Sequence, residues 1–190
     1  MDKAAVLVID MQYDFVGEDA VIPCKADPEL IPNTRKLLEY ARSKGIPVIY
    51  TQEVHRANHV DFGRELDRSE PIHCVEGTRG AEIIEELKPE PTDYVIRKRR
   101  YSAFFQTDLE VLLKGLGVNT LILTGAATDV CVRATATDAQ QHDMFVIVPR
   151  ECVAGTTQKQ HEAALEHIDY VLGRVVSLDE LLAELGGASA

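Results

Sequence analysis

The chain has 190 residues, of which 45% are hydrophobic and 27% charged, proportions that suit a globular enzyme forming one domain over 1–190 with a sizeable core. Its formal net charge is −11, a balance that repels phosphate backbones and anionic membranes and so argues against nucleic-acid and membrane roles. No stretch has the apolar length needed to span a bilayer.

In chain order, Met1-Asp2-Lys3-Ala4-Ala5-Val6 lacks the basic region, long apolar run and cleavage site of a secretory signal, so the expected compartment is the cytosol. Ala4 to Ile9 reads as a buried strand, Leu30 to Ser43 as a helix stopped by Gly45, and Ile46 to Thr51 as a second strand. The polar stretch from Glu53 to Thr78 has the least regular pattern. Gly80 to Leu87 reads as a short helix, Asp93 to Arg97 as a third strand and Asp108 to Gly115 as a helix. Thr120 to Thr124 is a fourth strand, followed by a helix from about Asp129 to Gln141 and a fifth strand at Phe145 to Val148. Gln158 to His167 is helical, Arg174 to Ser177 is a short sixth strand, and Asp179 to Leu185 is a final helix before a loose tail at Gly186 to Ala190. Strands apolar on both faces, alternating with helices, predict an α/β fold: a mostly parallel sheet of about six strands covered on both sides.

A parallel sheet brings distant strand ends to one edge, where ligands bind in open α/β folds. Asp10, Lys98 and Cys131 all fall at such ends. Cys131 lies in the opening turn of a predicted helix, with Thr128 or Asp129 available as a cap. The free N–H groups there favour a thiolate and can stabilise an oxyanion. Taken alone, Cys131 reads as a buried thiol packing helix on sheet. Asp10 reads equally as a base or as a turn-capping carboxylate, and Lys98 sits in the charge run Arg97-Lys98-Arg99-Arg100. Cys24, Cys74, Cys131 and Cys152 form no CxxC pair, and in a reducing cytosol each reads as a buried free thiol.

Three segments supply what the single residues lack. Asp10-Met11-Gln12-Tyr13-Asp14-Phe15 resembles the D-x-Q-x-D-F opening of the isochorismatase-like cysteine hydrolases. Arg97-Lys98-Arg99-Arg100-Tyr101-Ser102-Ala103-Phe104-Phe105 resembles their lysine segment, and Gly125-Ala126-Ala127-Thr128-Asp129-Val130-Cys131-Val132 their nucleophile segment. The motifs occur in the right order, and the resemblance covers nearly the whole chain. It implies a Rossmann-like three-layer α/β/α domain and a Cys131, Asp10 and Lys98 triad. It also implies a cis peptide at Ala126–Ala127 and an oxyanion hole from the Ala127 and Cys131 N–H groups. The implied reaction is hydrolysis of a C–N bond through a thioester. The family is usually oligomeric, so the resemblance implies a homo-oligomer with a small amide or ureide as its partner.

Nicotinamidases of this family bind a divalent metal through D-x-H and a later His. The matching positions are Glu53, His55 and His73, with Glu53 where Asp is expected; His59 and Asp61 lie nearby. The chemistry requires no cofactor. A polar loop with both histidines in hydrogen bonds is the preferred reading, and a zinc-like ion on those three residues the alternative. The lysine segment looks closer to the ureide-cleaving branch, and its extra arginines suit an anionic carbamoyl or amide substrate. Phe15, Tyr101 and Phe104 are candidate pocket walls. Two other readings stand beside this one. A metal-assisted nicotinamidase turns on Glu53, His55 and His73. A Rossmann-like thiol redox sensor or binding protein would pair Cys131 with Cys152. No GxGxxG or P-loop pattern supports nucleotide binding. Cys131 argues against vinyl-ether cleavage, since true isochorismatases generally lack that cysteine.

Overall fold

The computed structural model describes residues 3–24, 28–68 and 70–187. The strands are β1 (Ala4–Ile9), β2 (Val48–Glu53), β3 (Tyr94–Lys98), β4 (Thr120–Ala126), β5 (Phe145–Pro149), β6 (Val153–Ala154) and β7 (Arg174–Val176). The α-helices are α1 (Tyr13–Val16), α2 (Leu30–Ser43), α3 (Leu109–Leu116), α4 (Arg133–Gln141), α5 (Gln158–His167) and α6 (Leu178–Gly187). The sheet runs β3-β2-β1-β4-β5-β7, with β6 added to the end of β4, and each of these strand pairings is parallel. This is the expected three-layer α/β/α architecture, with seven strands. A two-residue strand such as β6 is too short to leave a periodic signature.

Alternation along the strands splits the core in two. Ala4, Val6 and Val8 of β1 meet Leu37, Leu38 and Ala41 of α2 and Leu181 and Leu185 of α6 on one face. Ala5, Leu7 and Ile9 meet Leu109 and Leu113 of α3 and Ala136 and Ala139 of α4 on the other. A strand buried on both faces needs apolar residues at every position, and β1 is fully buried from end to end. Edge strand β3 departs from that pattern, with Tyr94 and Val95 exposed. Strand order reverses between β1 and β4, so the crevice beyond their carboxyl ends is the switch point of the fold.

Three expectations need correction. Strand β2 extends to Glu53, placing that carboxylate at a strand end in register with Lys98. Gly80 to Leu87 forms 3-10 turns at Arg79–Ala81 and Glu85–Leu87 instead of a helix. Its middle is drawn straight by an antiparallel bridge between Ile83 and Gln12, with the Ile84 N–H bonded to the Met11 carbonyl. The helix expected from Asp129 begins as a π-type turn, Thr128–Val132, before α4. In the tail, Gly186 and Gly187 belong to α6, while 188–190 lie outside the described residues, as do Met1 and Asp2.

Candidate active site

The apolar run of β1 delivers Asp10 to the switch point. There its backbone turns with φ +50°, a left-handed conformation that Asp tolerates better than most residues. Thr51 of β2 fixes the carboxylate: its hydroxyl donates to Asp10 Oδ1 at 2.7 Å and accepts from the Asp10 N–H at 3.1 Å. Lys98 closes β3 with its ammonium 2.7 Å from Asp10 Oδ2. That contact is a short, fully buried ion pair. Lys98 Nζ donates to Glu53 Oε2 (2.8 Å), to the Arg100 carbonyl (2.9 Å) and to Cys131 Sγ (3.6 Å). Asp10, Glu53 and Cys131 offer donor atoms within 4.8 Å of one another, and the Cys131 thiol lies 4.0 Å from Glu53 Oε2. The three residues picked from strand ends are thus brought together in a buried cluster. Glu53, read from the sequence as a loop residue, is its fourth member.

The cluster's charges are mutually dependent. Burial pushes the Asp10 carboxyl up, and the Lys98 charge offsets only part of that rise. Burial opposes the Lys98 charge, but Asp10, Cys131 and Glu53 together hold its pKa well above the usual lysine value. Glu53 is buried too, yet Lys98 and the two histidines keep its carboxyl well below the ordinary range. The Cys131 thiol is driven well above its usual value by burial; Lys98 acts against this while Asp10 and Glu53 add to it. Burial thus works against the thiolate that the helix-start position and Lys98 favour. Neither predicted cap operates there: Thr128 Oγ1 bonds His161 Nδ1 (2.9 Å), and the Asp129 carboxylate accepts from Thr156 N and Oγ1 (2.9 and 2.6 Å).

The turn before Cys131 carries the cis peptide Ala126–Ala127. The Ala127 carbonyl accepts from the Val130 and Val132 N–H groups at 3.0 and 3.1 Å, winding the segment tightly over the end of β4. Gly125 has φ +110°, and a Cβ there would fall on the Ile9 carbonyl oxygen and 2.8 Å from the Ile9 carbonyl carbon. Only glycine lets the ends of β1 and β4 approach this closely.

Two residues of the opening motif hold the surrounding loops. Gln12 Nε2 donates to the Glu53 and Ala81 carbonyls (2.8 and 2.9 Å), and its Oε1 accepts from the Glu53 N–H (2.7 Å), so this side chain continues strand pairing past β2. Asp14 Oδ2 accepts from the Cys74 N–H at 2.6 Å. The motif marked both residues as special, but their jobs depend on partners 41 to 69 residues away.

Glu53 Oε1 faces His55 Nε2 at 3.1 Å and His73 Nε2 at 3.2 Å. His73 Nδ1 is bonded to the Pro71 carbonyl at 2.8 Å, which requires the proton on Nδ1. In a neutral ring, Nε2 would then aim a lone pair at a carboxylate oxygen. Either a second proton or a cation resolves that opposition. Burial works to lower the His73 pKa, while its bonds to Glu53 and Pro71 raise it overall. Two imidazole nitrogens and one carboxylate oxygen converging this way also match the donor set of a zinc-type site with three protein ligands, so these residues fit a divalent ion. His59 and Asp61 stand outside this set. The His59 ring lies against Phe62, and Asp61 sits behind His55 at 3.7 Å from Nδ1.

A cavity of about 40 Å³ adjoins Cys131, lined by Phe15, Ile22, Cys24, Glu53, Glu70, His73, Tyr101, Ala127, Val130, Cys131 and Thr156. Phe15 and Tyr101 occupy its wall. Phe104 does not: it stacks on His142 at 5.0 Å, because the Ala103 N–H is bonded to Thr135 Oγ1 and the segment is pinned on α4. Cys152 also lies elsewhere, in the core on the other face of the sheet from Cys131, so it cannot act as the resolving thiol; Cys24 is the cysteine that shares the cavity. All four cysteines are free. The arginines expected to hold an anion face elsewhere: Arg99 Nε bonds Asp61 Oδ2 (2.8 Å), Arg100 Nη1 bonds the Asp61 carbonyl (2.8 Å), and Arg97 lines a groove with Gln52, Glu82 and Lys88.

A parallel sheet with an acid, a lysine and a cysteine at its switch point defines a class of α/β hydrolytic enzymes, and comparison with known proteins supplies the family. Residues 4–180 match the isochorismatase domain, and the chain belongs to that family. It is 36% identical over 189 residues to a probable inactive nicotinamidase of Arabidopsis thaliana, covering 96% of both chains. It is 34% identical over 185 residues to the maleamate amidohydrolase of Pseudomonas putida, covering 96% of this chain and 87% of that one. Among solved structures, the pyrazinamidase of Pyrococcus horikoshii in complex with zinc superposes with a TM-score of 0.83 at 33% identity, covering 92% of this chain and 99% of that one. Family membership places the protein among hydrolases of non-peptide C–N bonds. No helix of the described residues is long and apolar enough to cross a membrane.

Proposed function

We propose that this protein is a cysteine-dependent amidohydrolase that cleaves the C–N bond of a small amide, ureide or carbamoyl compound through a thioester. The observation that carries the reading is the buried cluster in which the Lys98 ammonium touches Asp10, Glu53 and Cys131 at once. Asp10, its carboxyl raised by burial, takes the Cys131 proton as the sulfur attacks the substrate carbonyl. The Ala127 and Cys131 N–H groups hold the tetrahedral oxyanion, and loss of one such donor typically costs about 100- to 1000-fold in rate. Asp10 returns the proton to the departing nitrogen, releasing ammonia or an amine. Water then attacks the thioester, giving the acid and regenerating the thiol. Lys98 keeps its charge throughout and stabilises the anionic states of Asp10 and Cys131.

A second reading, the metal-assisted nicotinamidase, is favoured by the opposed lone pairs at His73 and Glu53. Glu53, His55 and His73 would hold the ion, which when bound would act as a Lewis acid orienting a substrate donor atom. The proposal also includes a single domain, a cytosolic location and a homo-oligomer; support for assembly comes from exposed Phe145, Tyr170 and Val171, which line one surface groove.

The test is ammonia release from nicotinamide, biuret, ureidoacrylate-type acids, N-carbamoyl amino acids and primary amides by wild type and Cys131→Ala in parallel. One class cleaved by wild type alone is the expected result. Equal activity of the two proteins would overturn the mechanism.

A further inference from the structure

We infer that the site selects by charge: Glu70 makes the cavity beside Cys131 a receptor for neutral or cationic amides and turns away amides that carry a carboxylate. For the identity of the substrate this rests on the amidohydrolase reading. The electrostatic claim stands on the cavity alone.

The cavity wall is apolar at Phe15, Ile22 and Val130, and among the described residues no lysine or arginine lines it. Its carboxylates are Glu53 and Glu70, and they differ in how they are compensated. Glu53 is buried and matched by Lys98 and two histidines. Glu70 is half-buried and accepts from the Tyr101 hydroxyl at 3.4 Å; the His73 charge offsets only part of the rise that burial gives its carboxyl, and among the described residues no lysine or arginine pairs with it. Behind the wall, the ammonium of Lys98 is committed to Asp10 and Glu53. The nearby guanidinium groups are committed as well, Arg99 to the Asp61 carboxylate and Arg100 to the Asp61 carbonyl. Among the described residues, an incoming carboxylate would therefore meet Glu70 with no free lysine or arginine to receive it, and the one ring whose charge acts on Glu70, His73, is shared with Glu53. At about 6 Å, and with effective dielectric constants of about 20 to 40, the resulting discrimination is about 10- to 100-fold. The formal charge of −11 acts in the same direction at long range.

The test has two arms. In the first, Cys131 is alkylated with iodoacetamide or iodoacetate, and its conversion is followed by peptide mass spectrometry. In each case the sulfur displaces iodide and loses its proton to solvent. The two reagents differ mainly in charge, and turnover is not needed. The neutral-to-anionic rate ratio, normalised to a free cysteine amide, should be about 10- to 100-fold in wild type and should fall toward unity in Glu70→Gln and Glu70→Ala. A normalised ratio near unity in wild type, or one unchanged in both variants, would overturn the inference, as would failure of iodoacetamide to reach Cys131. The second arm compares kcat/KM for maleamide and maleamate, which share a skeleton. Glu70→Gln should raise the ratio of the maleamate value to the maleamide value about tenfold or more, through the KM for maleamate, and an unchanged ratio would overturn the inference. Hydrolysis of neither amide, with the alkylation ratio as expected, would remove these substrates from the amidohydrolase reading and leave the charge selection in place.

Discussion

Replacing Lys98 with Met removes the one cation among the described residues that touches both buried carboxylates. In the native cluster, the ammonium lies 2.7 Å from Asp10 and 2.8 Å from Glu53, and both acids are essentially inaccessible to solvent. Methionine fills a similar volume, so the lost packing is small and the charge effect dominates. Asp10 and Glu53 then stand no more than 4.8 Å apart. Two like charges at that distance repel by about 3.5 kcal/mol at an effective dielectric constant of about 20. This falls within the ~3–5 kcal/mol commonly lost when one partner of a buried ion pair is removed. In a chain of this length each kcal/mol shifts Tm by about 2–4 °C, so thermal unfolding at pH 7 should show a fall of about 6–20 °C. The double variant Lys98→Met/Glu53→Gln removes one stranded charge and should recover at least half of that loss while staying inactive. An unchanged Tm in Lys98→Met, or a double variant no more stable than the single one, would refute this account of the cluster.

Three further outcomes follow from the structure. Gly125→Ala forces a side chain into φ +110° and onto the Ile9 backbone, so it should cost about 3 kcal/mol or more and lower activity by separating the ends of β1 and β4; equal Tm and equal kcat/KM would contradict that. His161 is pushed below its usual pKa by burial, so its contribution to stability is complete above about pH 6.5 and is lost as pH falls through the folded-state value. The Tm of wild type should accordingly drop more between pH 7.5 and 5.5 than that of His161→Gln, and parallel curves would exclude this linkage. If a divalent ion sits on Glu53, His55 and His73, elemental analysis of the purified protein should find about one per chain and His73→Ala should lose it. A metal-free protein fully active in chelator would leave the hydrogen-bonded reading of those histidines.

How much of this was legible in the sequence depended on whether a signal was local. The strands of the sheet centre announce themselves because residues such as Ala4 to Ile9 are buried on both faces and must be apolar throughout. Asp10, Lys98 and Cys131 could be picked as strand-end residues, and the three motifs tied them together. Glu53 was marked only as a candidate metal ligand, and its place at a strand end was hidden because β2 turns polar after Tyr50: Gln52 and Glu53 look like loop, and only neighbours across the sheet and from Gln12 make them strand. The false helix at Gly80 to Leu87 has the same origin, since its backbone partners lie in the β1–α1 connection. Phe104 and Tyr101 belong to one motif and diverge because Ala103 is anchored to Thr135, a contact no pattern within the motif encodes. The acidic character of the cavity was hidden for a related reason. A run of arginines in sequence says nothing of which carboxylates each will meet, and here Asp61 engages both Arg99 and Arg100.

The most direct test of the central claim is to look for the acyl group on Cys131 itself. With the best amide from the substrate panel, wild-type protein is acid-quenched during turnover and its peptides are mapped by mass spectrometry. The account predicts a transient adduct on the peptide containing Cys131, equal in mass to the substrate acyl group, together with loss of ammonia release in Cys131→Ala. Turnover by a folded Cys131→Ala protein at the wild-type rate, with no adduct on any cysteine, would contradict it.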